Sequence, residues 1–306
     1  MIATKKNLRS RVAVVGSGLI GIILTGCTAQ ATDEAQEGAL KDRPAPRATT
    51  ATQMSLPIES YMFSNSQRER IVEAKEESIS RCMRRFGFTY EIPKSADSYR
   101  PASLTELRYG VTDPSGAAIY GYRPKGSEGA VKPPKQSPQP ENFSQVLKGV
   151  DGQSHERTGK TVPQGGCIGE AKRALRDTEK DGGGGDAEIS NKINAASWQS
   201  SFEDSRVRKA FQKWSKCMAE KGYKYTDPMQ ANNDPLWREG RRATTKEKKV
   251  AEGDATCKKL HNVVSTWYTT DKSYQQKMIA GNIKELSPVK KKIEMQLRLA
   301  SKILAD

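Results

Sequence analysis

Two stretches of the chain carry nearly the same pattern around a cysteine. Residues 79–90 read Ile-Ser-Arg-Cys-Met-Arg-Arg-Phe-Gly-Phe-Thr-Tyr, and residues 214–225 read Trp-Ser-Lys-Cys-Met-Ala-Glu-Lys-Gly-Tyr-Lys-Tyr. Aligning Cys82 with Cys217 also aligns a serine, a methionine, a glycine and a tyrosine. The shared pattern predicts a tandem, degenerate repeat of two helical units, each built around one copy.

Each copy has one further cysteine downstream, Cys167 after the first and Cys257 after the second. Outside the cytosol an even number of cysteines indicates a disulfide framework, although four cysteines allow three connectivities. A duplicated unit keeps its bond within itself, which predicts the disulfides Cys82–Cys167 and Cys217–Cys257. The alternative is a zinc site, but the spacing lacks a Cys-x-x-Cys pair and the chain has only 2 histidines.

Apolar residues at spacings of three and four predict a helix within each unit. The first helix begins at Ser64 or Ser66, and Gly87 then fits the left-handed position that ends many helices. The second helix is expected to start at residues 200–201 and to end at Gly222 in the same way.

The longest helical pattern lies near the C-terminus. A helix is expected to begin near Thr244 or Thr245. Apolar residues then keep helical spacing through Cys257, Leu260, Val264, Trp267, Tyr274 and Met278. Pro288 either kinks this run or caps a last helix. A periodic run of this length predicts a coiled-coil-like arm over residues 245–304.

These patterns predict a mainly α-helical protein with two disulfide-braced helical units, long irregular loops and a long C-terminal helical arm. Four regions follow from composition: a lipoprotein signal peptide (1–26), a flexible tether (27–56), a first Cys-paired unit with a long loop excursion (57–186), and a second Cys-paired unit with the C-terminal arm (187–306). The Gly-rich segment 181–186 marks the boundary between the two units.

The N-terminus predicts where the protein resides. Basic residues precede an apolar run at 12–24, which is too short to span a bilayer core of ~30 Å but suits a signal peptide. The run ends in Leu24, Thr25, Gly26 and Cys27, which resembles the bacterial lipobox. A diacylglyceryl group on Cys27 would supply two acyl chains, enough for stable anchoring to the membrane. The alternative is an ordinary signal peptide with an incidental cysteine.

The chain is strongly basic, with a formal net charge of +15. Such a charge favours anionic neighbours such as phospholipid head groups or acidic wall polymers. Nucleic acid is not an expected partner, because no nucleic-acid-binding motif accompanies the basic residues. The alternative explanation is solubility, with the charges on solvated helix faces.

Catalytic residues are not evident in the sequence. Nucleophilic catalysis usually needs a base beside a serine, cysteine or threonine. His155 lies in a segment of loop composition and His261 lies on a predicted helix, and neither has a Gly-x-Ser-x-Gly context. The sequence also lacks a Walker loop, a dinucleotide fingerprint and a calcium loop. We therefore expect a non-enzymatic protein with no metal site and no cofactor.

Tyr109, Tyr120 and Tyr122 lie in one glycine-containing segment and form the candidate binding surface, by analogy with tyrosines that bind sugars. A short helix is expected here, because Thr112 or Asp113 before Pro114 is a typical helix start. The alternative is that the tyrosines pack this segment against a core.

Four segments support a family resemblance: Arg-Tyr-Gly-Val-Thr-Asp-Pro at 108–114, Tyr-Gly-Tyr at 120–122, Gly-Gly-Cys-Ile-Gly-Glu-Ala at 165–171 and Lys-Cys-Met-Ala-Glu-Lys-Gly-Tyr at 216–223. Together they resemble an actinobacterial (streptomycete-type) family of secreted proteins and lipoproteins with paired Cys-Met-x-x-x-Gly-aromatic motifs. The resemblance implies a surface protein of a Gram-positive bacterium with an α-helical, cysteine-paired body. It implies no activity.

The leading hypothesis is a membrane-anchored extracytoplasmic lipoprotein with a binding or structural role at the cell envelope. Its expected partner, besides the membrane, is a cell-wall polymer or an envelope protein. The first alternative is the substrate-binding lipoprotein of a transporter. That class needs buried parallel strands, and the chain lacks the Val- and Ile-rich runs that such strands require. The second alternative is an envelope hydrolase.

Overall fold

The protein is mainly α-helical, as the sequence predicts. The computed structural model describes residues 54–90, 101, 103–125, 139–140, 142–150, 155–157, 159–177, 187–238, 240 and 242–306. The chain divides into two units, residues 1–44 and 45–306, and all described residues belong to the second. The predicted signal peptide, the lipobox and the Gly-rich segment 181–186 lie outside the described residues.

The described part of the chain consists of helices and one small sheet. The α-helices are α1 (Asn65–Arg85), α2 (Pro114–Tyr120), α3 (Phe143–Lys148), α4 (Gly166–Ala174), α5 (Glu188–Glu203), α6 (Ser205–Glu220), α7 (Pro228–Asn232), α8 (Thr245–Leu260), α9 (Val263–Gly281) and α10 (Ile283–Ala305). Two 3₁₀ helices span Pro57–Tyr61 and Pro235–Arg238. Strands β1 (His155–Arg157) and β2 (Lys160–Val162) pair antiparallel. Among the described helices, none is long and apolar enough to cross a membrane.

Two helices begin where the sequence predicts. α1 follows Ser64, whose hydroxyl accepts a hydrogen bond from the backbone N–H of Gln67. α2 follows Asp113, whose carboxylate accepts hydrogen bonds from two backbone N–H groups of the first turn. Pro114 takes the first helical position, where a missing N–H costs nothing. Both starts depend on hydrogen bonds within one turn, which the local sequence can indicate.

The helix start predicted at residues 200–201 is wrong. Both serines lie inside α5, where the Ser201 hydroxyl donates to the carbonyl of Trp198 at 2.8 Å. α6 begins instead after Asp204, which has an extended backbone and accepts a hydrogen bond from the N–H of Arg206. A serine caps a helix only where the backbone leaves the helical conformation, and inside a helix its hydroxyl bonds to the preceding turn.

Both predicted disulfides are present. Cys82 pairs with Cys167 across a sequence separation of 85, and Cys217 pairs with Cys257 across a separation of 40. The Cα–Cα distances are 5.5 and 5.8 Å, both within the usual range for a disulfide. All four cysteines are buried among apolar side chains.

The two copies of the cysteine pattern end their helices in the same way. Gly87 and Gly222 have φ of 78° and 85°, the left-handed conformation. The N–H of the next aromatic residue donates back to the methionine carbonyl, at 3.1 Å in the first copy and 2.9 Å in the second. This pattern is a Schellman motif, in which glycine avoids the Cβ penalty of the left-handed conformation.

The prediction of a tandem repeat is not confirmed beyond this cap. Cys82 and Cys217 both lie in the last turn of a helix. Cys167, however, is the second residue of α4, whereas Cys257 lies in the last turn of α8. One disulfide therefore joins a helix end to a helix start, and the other joins two helix ends.

The predicted C-terminal arm is three helices rather than one run. Asn262 has a φ of 53° and separates α8 from α9, and Asn282 lies between α9 and α10. Leu260, which keeps helical spacing with the apolar residues of this run, is nevertheless 66% exposed at the end of α8. α10 is the long C-terminal helix and continues through Pro288. Proline there removes one backbone hydrogen bond but does not end the helix.

The cores connect elements that are distant in sequence. α10 packs along α1, with Ile293 and Ala300 in the same cluster as Ile71. The largest cluster contains Trp214 and Trp267 and lies among α5, α6, α8 and α9. Contacts therefore cross the predicted boundary at residue 186, and the segment 103–125 is held against helices of the second half.

Candidate functional site

A buried ion pair anchors the segment 103–125 to α9. The Arg108 side chain donates to both carboxylate oxygens of Asp271, at 2.6 Å to Oδ2 and 3.1 Å to Oδ1. Its remaining N–H groups donate to Asn194 and Ser197 of α5. A buried ion pair of this kind holds one geometry, because its hydrogen-bonding groups have no alternative partners in water.

Tyr109 belongs to the core and not to the surface that the sequence predicted for it. Its side chain is fully buried, and its ring centroid lies 5.2 Å from that of Trp267. Its hydroxyl donates to Asp271 Oδ2 at 3.0 Å. Burial, and then the Asp271 charge, raise the pKa of Tyr109 above its usual range. The packing alternative is therefore correct for this tyrosine.

A second buried pair lies directly beneath the segment. Lys258 of α8 donates to the carbonyl of Val111 and to Asp254 Oδ2, both at 3.0 Å. Asp254 Oδ1 accepts a hydrogen bond from the Trp214 indole at 2.9 Å. Burial lowers the pKa of Lys258 and raises that of Asp254, and the attraction between the two charges opposes both shifts. Gly110 is required here, because a Cβ would lie 2.9 Å from the ammonium nitrogen.

The end of the segment is held by a third acidic residue. The N–H of Tyr122 donates to Glu247 Oε1 at 3.2 Å, and Arg123 Nε lies 3.5 Å from the same oxygen. The Tyr122 ring stacks on Trp237 with centroids 5.8 Å apart. Burial, and then the nearby Asp254 charge, raise the pKa of Tyr122. Tyr122 therefore also packs inward, although it is only partly buried.

These anchors border a cavity of about 700 Å³ beside α2. This volume lies within the ~300–1,000 Å³ that is common for small-molecule sites. The cavity is lined by residues 106–107, 111–117, 119–121, 123–125, 258–259, 262 and 264–265. Its walls thus come from the segment, from α2 and from the turn between α8 and α9.

Of the three predicted surface tyrosines, only Tyr120 lines the cavity. The other residues of the mouth were not predicted from the sequence, among them Leu107, Ile119, Lys125 and Lys259. Leu107 and Ile119 are 43% and 56% exposed, so both apolar side chains are accessible beside the cavity. A helical period does not reveal such residues, because Leu107 and Lys125 lie outside the helices and Ile119 lies in a helix of only seven residues.

Of the two histidines considered for catalysis, only His261 has a described side chain. His261 is the C-cap of α8 and does not line the cavity. His155 lies in β1, and its side chain is outside the described part of the chain. Within the described residues, no group of three or more histidine, cysteine, aspartate or glutamate side chains is placed to hold a metal ion.

The lining of the cavity combines aliphatic side chains with exposed lysines. Aliphatic walls exclude water from a bound group, and exposed lysines at the rim attract negative charge. The carboxylate of Asp113 accepts hydrogen bonds from two backbone N–H groups of α2 and caps this helix.

Comparison of the chain with protein-family models, with curated proteins and with solved structures gives no match.

Proposed function

We propose that the protein is a membrane-anchored extracytoplasmic lipoprotein of a Gram-positive bacterium with a non-enzymatic binding role at the cell envelope. We place its ligand site in the cavity beside α2. The cavity is the observation that carries this proposal. The buried pairs Arg108–Asp271 and Lys258–Asp254 hold its walls, so the site exists before a ligand arrives. A preformed site avoids the entropic cost of ordering its walls on binding.

Two further observations support the location. Disulfides persist in oxidising compartments outside the cytosol, and the protein has two. The lipobox-like residues Leu24–Cys27 would place a lipid anchor ahead of the described helices. The expected partner is a cell-wall component or an envelope protein within reach of the membrane surface.

The two alternatives have less support. A transporter's substrate-binding lipoprotein usually has buried parallel strands, whereas the described residues contain one antiparallel sheet of two three-residue strands. An envelope hydrolase would need a base at the cavity, and His261 lies outside it.

Photo-crosslinking in intact cells, followed by membrane fractionation, tests the proposal. A photoreactive amino acid replaces Ile119 at the cavity mouth. In a matched control it replaces Leu236, which is similarly exposed (52%) but does not line the cavity. We expect the protein in the membrane fraction, with an adduct at Ile119 that is absent at Leu236.

The Cys27→Ala variant separates anchoring from binding. We expect this variant to be released from the membrane or to remain unprocessed. A wild-type protein found wholly in the soluble fraction would contradict the lipid anchor. Identical adduct patterns at Ile119 and Leu236 would contradict the cavity as the ligand site.

A further inference from the structure

The walls of the cavity include several aliphatic side chains. Leu107, Val111, Ile119 and Val264 contribute branched side chains to the lining. Leu107 and Ile119 lie at the mouth of the cavity, and about half of each residue's surface is exposed to solvent. Exposed apolar side chains beside a cavity of this size favour a ligand that covers them, since that contact removes apolar surface from water.

The charges at the cavity are unbalanced. Lys125 and Lys259 line it, are exposed and make no ion pair with any described residue. The other ionic groups of the lining already have partners. Asp113 caps α2, Lys258 binds Asp254, Arg123 faces Glu247 and Glu106 has an interaction of its own. Among the described residues of the lining, the two lysines therefore outnumber the one exposed carboxylate without an ion pair, Asp113, whose oxygens accept hydrogen bonds from the first turn of α2.

We infer that the cavity binds a linear aliphatic chain that ends in an anionic group, either a carboxylate or a phosphate. The chain lies against the aliphatic walls, and the anionic end lies at the rim near Lys125 and Lys259. This inference rests on the proposed function only in taking the cavity as the ligand site. The same chemistry covers a free fatty acid and a lipid phosphate, and the two head groups are tested separately.

The test is isothermal titration of the full chain carrying Cys27→Ser, so that no covalent lipid competes for the cavity. The ligands are octanoate, decanoate and laurate, followed by dodecyl phosphate, dodecanol and dodecyltrimethylammonium, all as monomers. We expect affinity to rise with chain length, by up to about fourfold for each methylene buried. We also expect both anionic dodecyl ligands to bind more tightly than the neutral and cationic ones. The stronger of the two anions identifies the head group.

Charge variants test the role of the rim. Lys125→Gln with Lys259→Gln is expected to weaken laurate binding by about 2–5-fold for each lysine and to leave dodecanol binding unchanged. The matched control is Lys213→Gln with Lys216→Gln, two exposed lysines of α6 that do not line the cavity. This control should bind laurate as the parent protein does.

Apolar variants test the role of the walls. Leu107→Glu with Ile119→Glu places negative charge at the mouth, and we expect laurate binding to be lost. Both sites are exposed, so circular dichroism and the melting temperature should stay close to those of the parent protein. The control is Ile283→Glu, a similarly exposed isoleucine at the start of α10 that does not line the cavity.

Three results would overturn the inference: no titratable binding of any dodecyl ligand, equal affinity for laurate and dodecanol, or equal losses in the rim and control variants. The proposed function fails on a different result, the absence of a cavity-specific adduct in cells. An adduct at Ile119 together with no amphiphile binding would reject the ligand class alone.

Discussion

Gly222 ends α6 with a φ of +85°, and the space that a Cβ would occupy is open. A side chain at this position would therefore cost conformational energy and not create a steric clash. The motif depends on that conformation, because the N–H of Tyr223 reaches the carbonyl of Met218 only when the chain reverses at the glycine. Gly87 has the same geometry and the same open space at the end of α1.

Replacing Gly222 by alanine should lower the free energy of unfolding by about 1–2 kcal/mol, which is the penalty of a left-handed non-glycine residue. The matched control is Gly281→Ala, because Gly281 also has open space but lies within α9 without a positive φ. Alanine there should be neutral or stabilising by up to about 1 kcal/mol. Urea denaturation of both variants measures the difference, and equal effects would contradict the conformational explanation.

Some residues that act within one helical turn could be predicted from the sequence, although the cap at Asp204 was missed in favour of the serines at 200–201. Residues with distant partners could not be predicted. The caps at Ser64 and Gly222 are local, and local pattern identified both. Arg108 and Tyr109 meet Asp271, which lies more than 160 residues away in sequence. No periodicity relates these positions, so the sequence could offer Tyr109 as a surface residue as readily as a core residue.

At the scale of elements, the break at Asn262 decides the shape of the cavity. Asparagine tolerates the left-handed conformation, but a single asparagine in a helical pattern does not predict a break. The sequence pattern therefore predicted one continuous helix from Thr245 onward. Because the chain turns at Asn262, Lys259 at the end of α8 and Val264 at the start of α9 line the same cavity.

Asp204 joins α5 to α6 and is the charged cap in this pair of helices. Its carboxylate accepts hydrogen bonds from the backbone and side chain of Arg206 and from the Tyr274 hydroxyl. The pKa of Asp204 is lowered below its usual value, chiefly by the side-chain hydrogen bonds from Arg206. Partial burial of the carboxylate opposes this shift. The stabilisation from the charge is therefore present above the unfolded-state pKa of about 3.9 and is lost as the pH falls through the folded-state pKa.

The Asp204→Ala variant should lose about 1 kcal/mol of unfolding free energy at pH 7, since it removes a helix cap. Asp204→Asn should lose less, because asparagine also caps helices but carries no charge. The difference in unfolding free energy between wild type and Asp204→Asn should shrink as the pH falls below about 4.

Thr244→Ala serves as the control, because it removes the uncharged cap of α8. Its loss of unfolding free energy should not depend on the titration of Asp204. Urea denaturation from pH 7 to pH 3 measures these differences, and a wild-type advantage over Asp204→Asn that grows towards low pH would contradict the assignment.

For the whole molecule, the two disulfides support different cores. Cys82–Cys167 lies in a cluster with Ile79, Phe86 and Phe143, away from the cavity. Cys217–Cys257 lies in the largest cluster, and Cys257 directly precedes the cavity residue Lys258. The cysteine pattern predicted both bonds, because the nearest downstream cysteine is also the spatial partner. It could not predict that only one of them borders the candidate site.

Removing either disulfide should therefore destabilise the protein but affect the cavity differently. By loop-closure entropy, closing loops of 85 and 40 residues stabilises the fold by about 4–5 and about 4 kcal/mol. The free energy of unfolding of a whole domain is only about 5–15 kcal/mol, so each double Cys→Ser variant should melt well below the parent protein.

The two double variants should differ in ligand affinity below their melting temperatures. Cys82→Ser with Cys167→Ser should keep the affinity of the parent protein, whereas Cys217→Ser with Cys257→Ser should weaken it by loosening α8. Calorimetry with and without reductant, combined with laurate titration, separates the two effects, and the variant lacking all four cysteines controls for direct effects of the reductant. Equal losses of affinity in the two double variants would show that the cavity depends on global stability and not on the neighbouring disulfide.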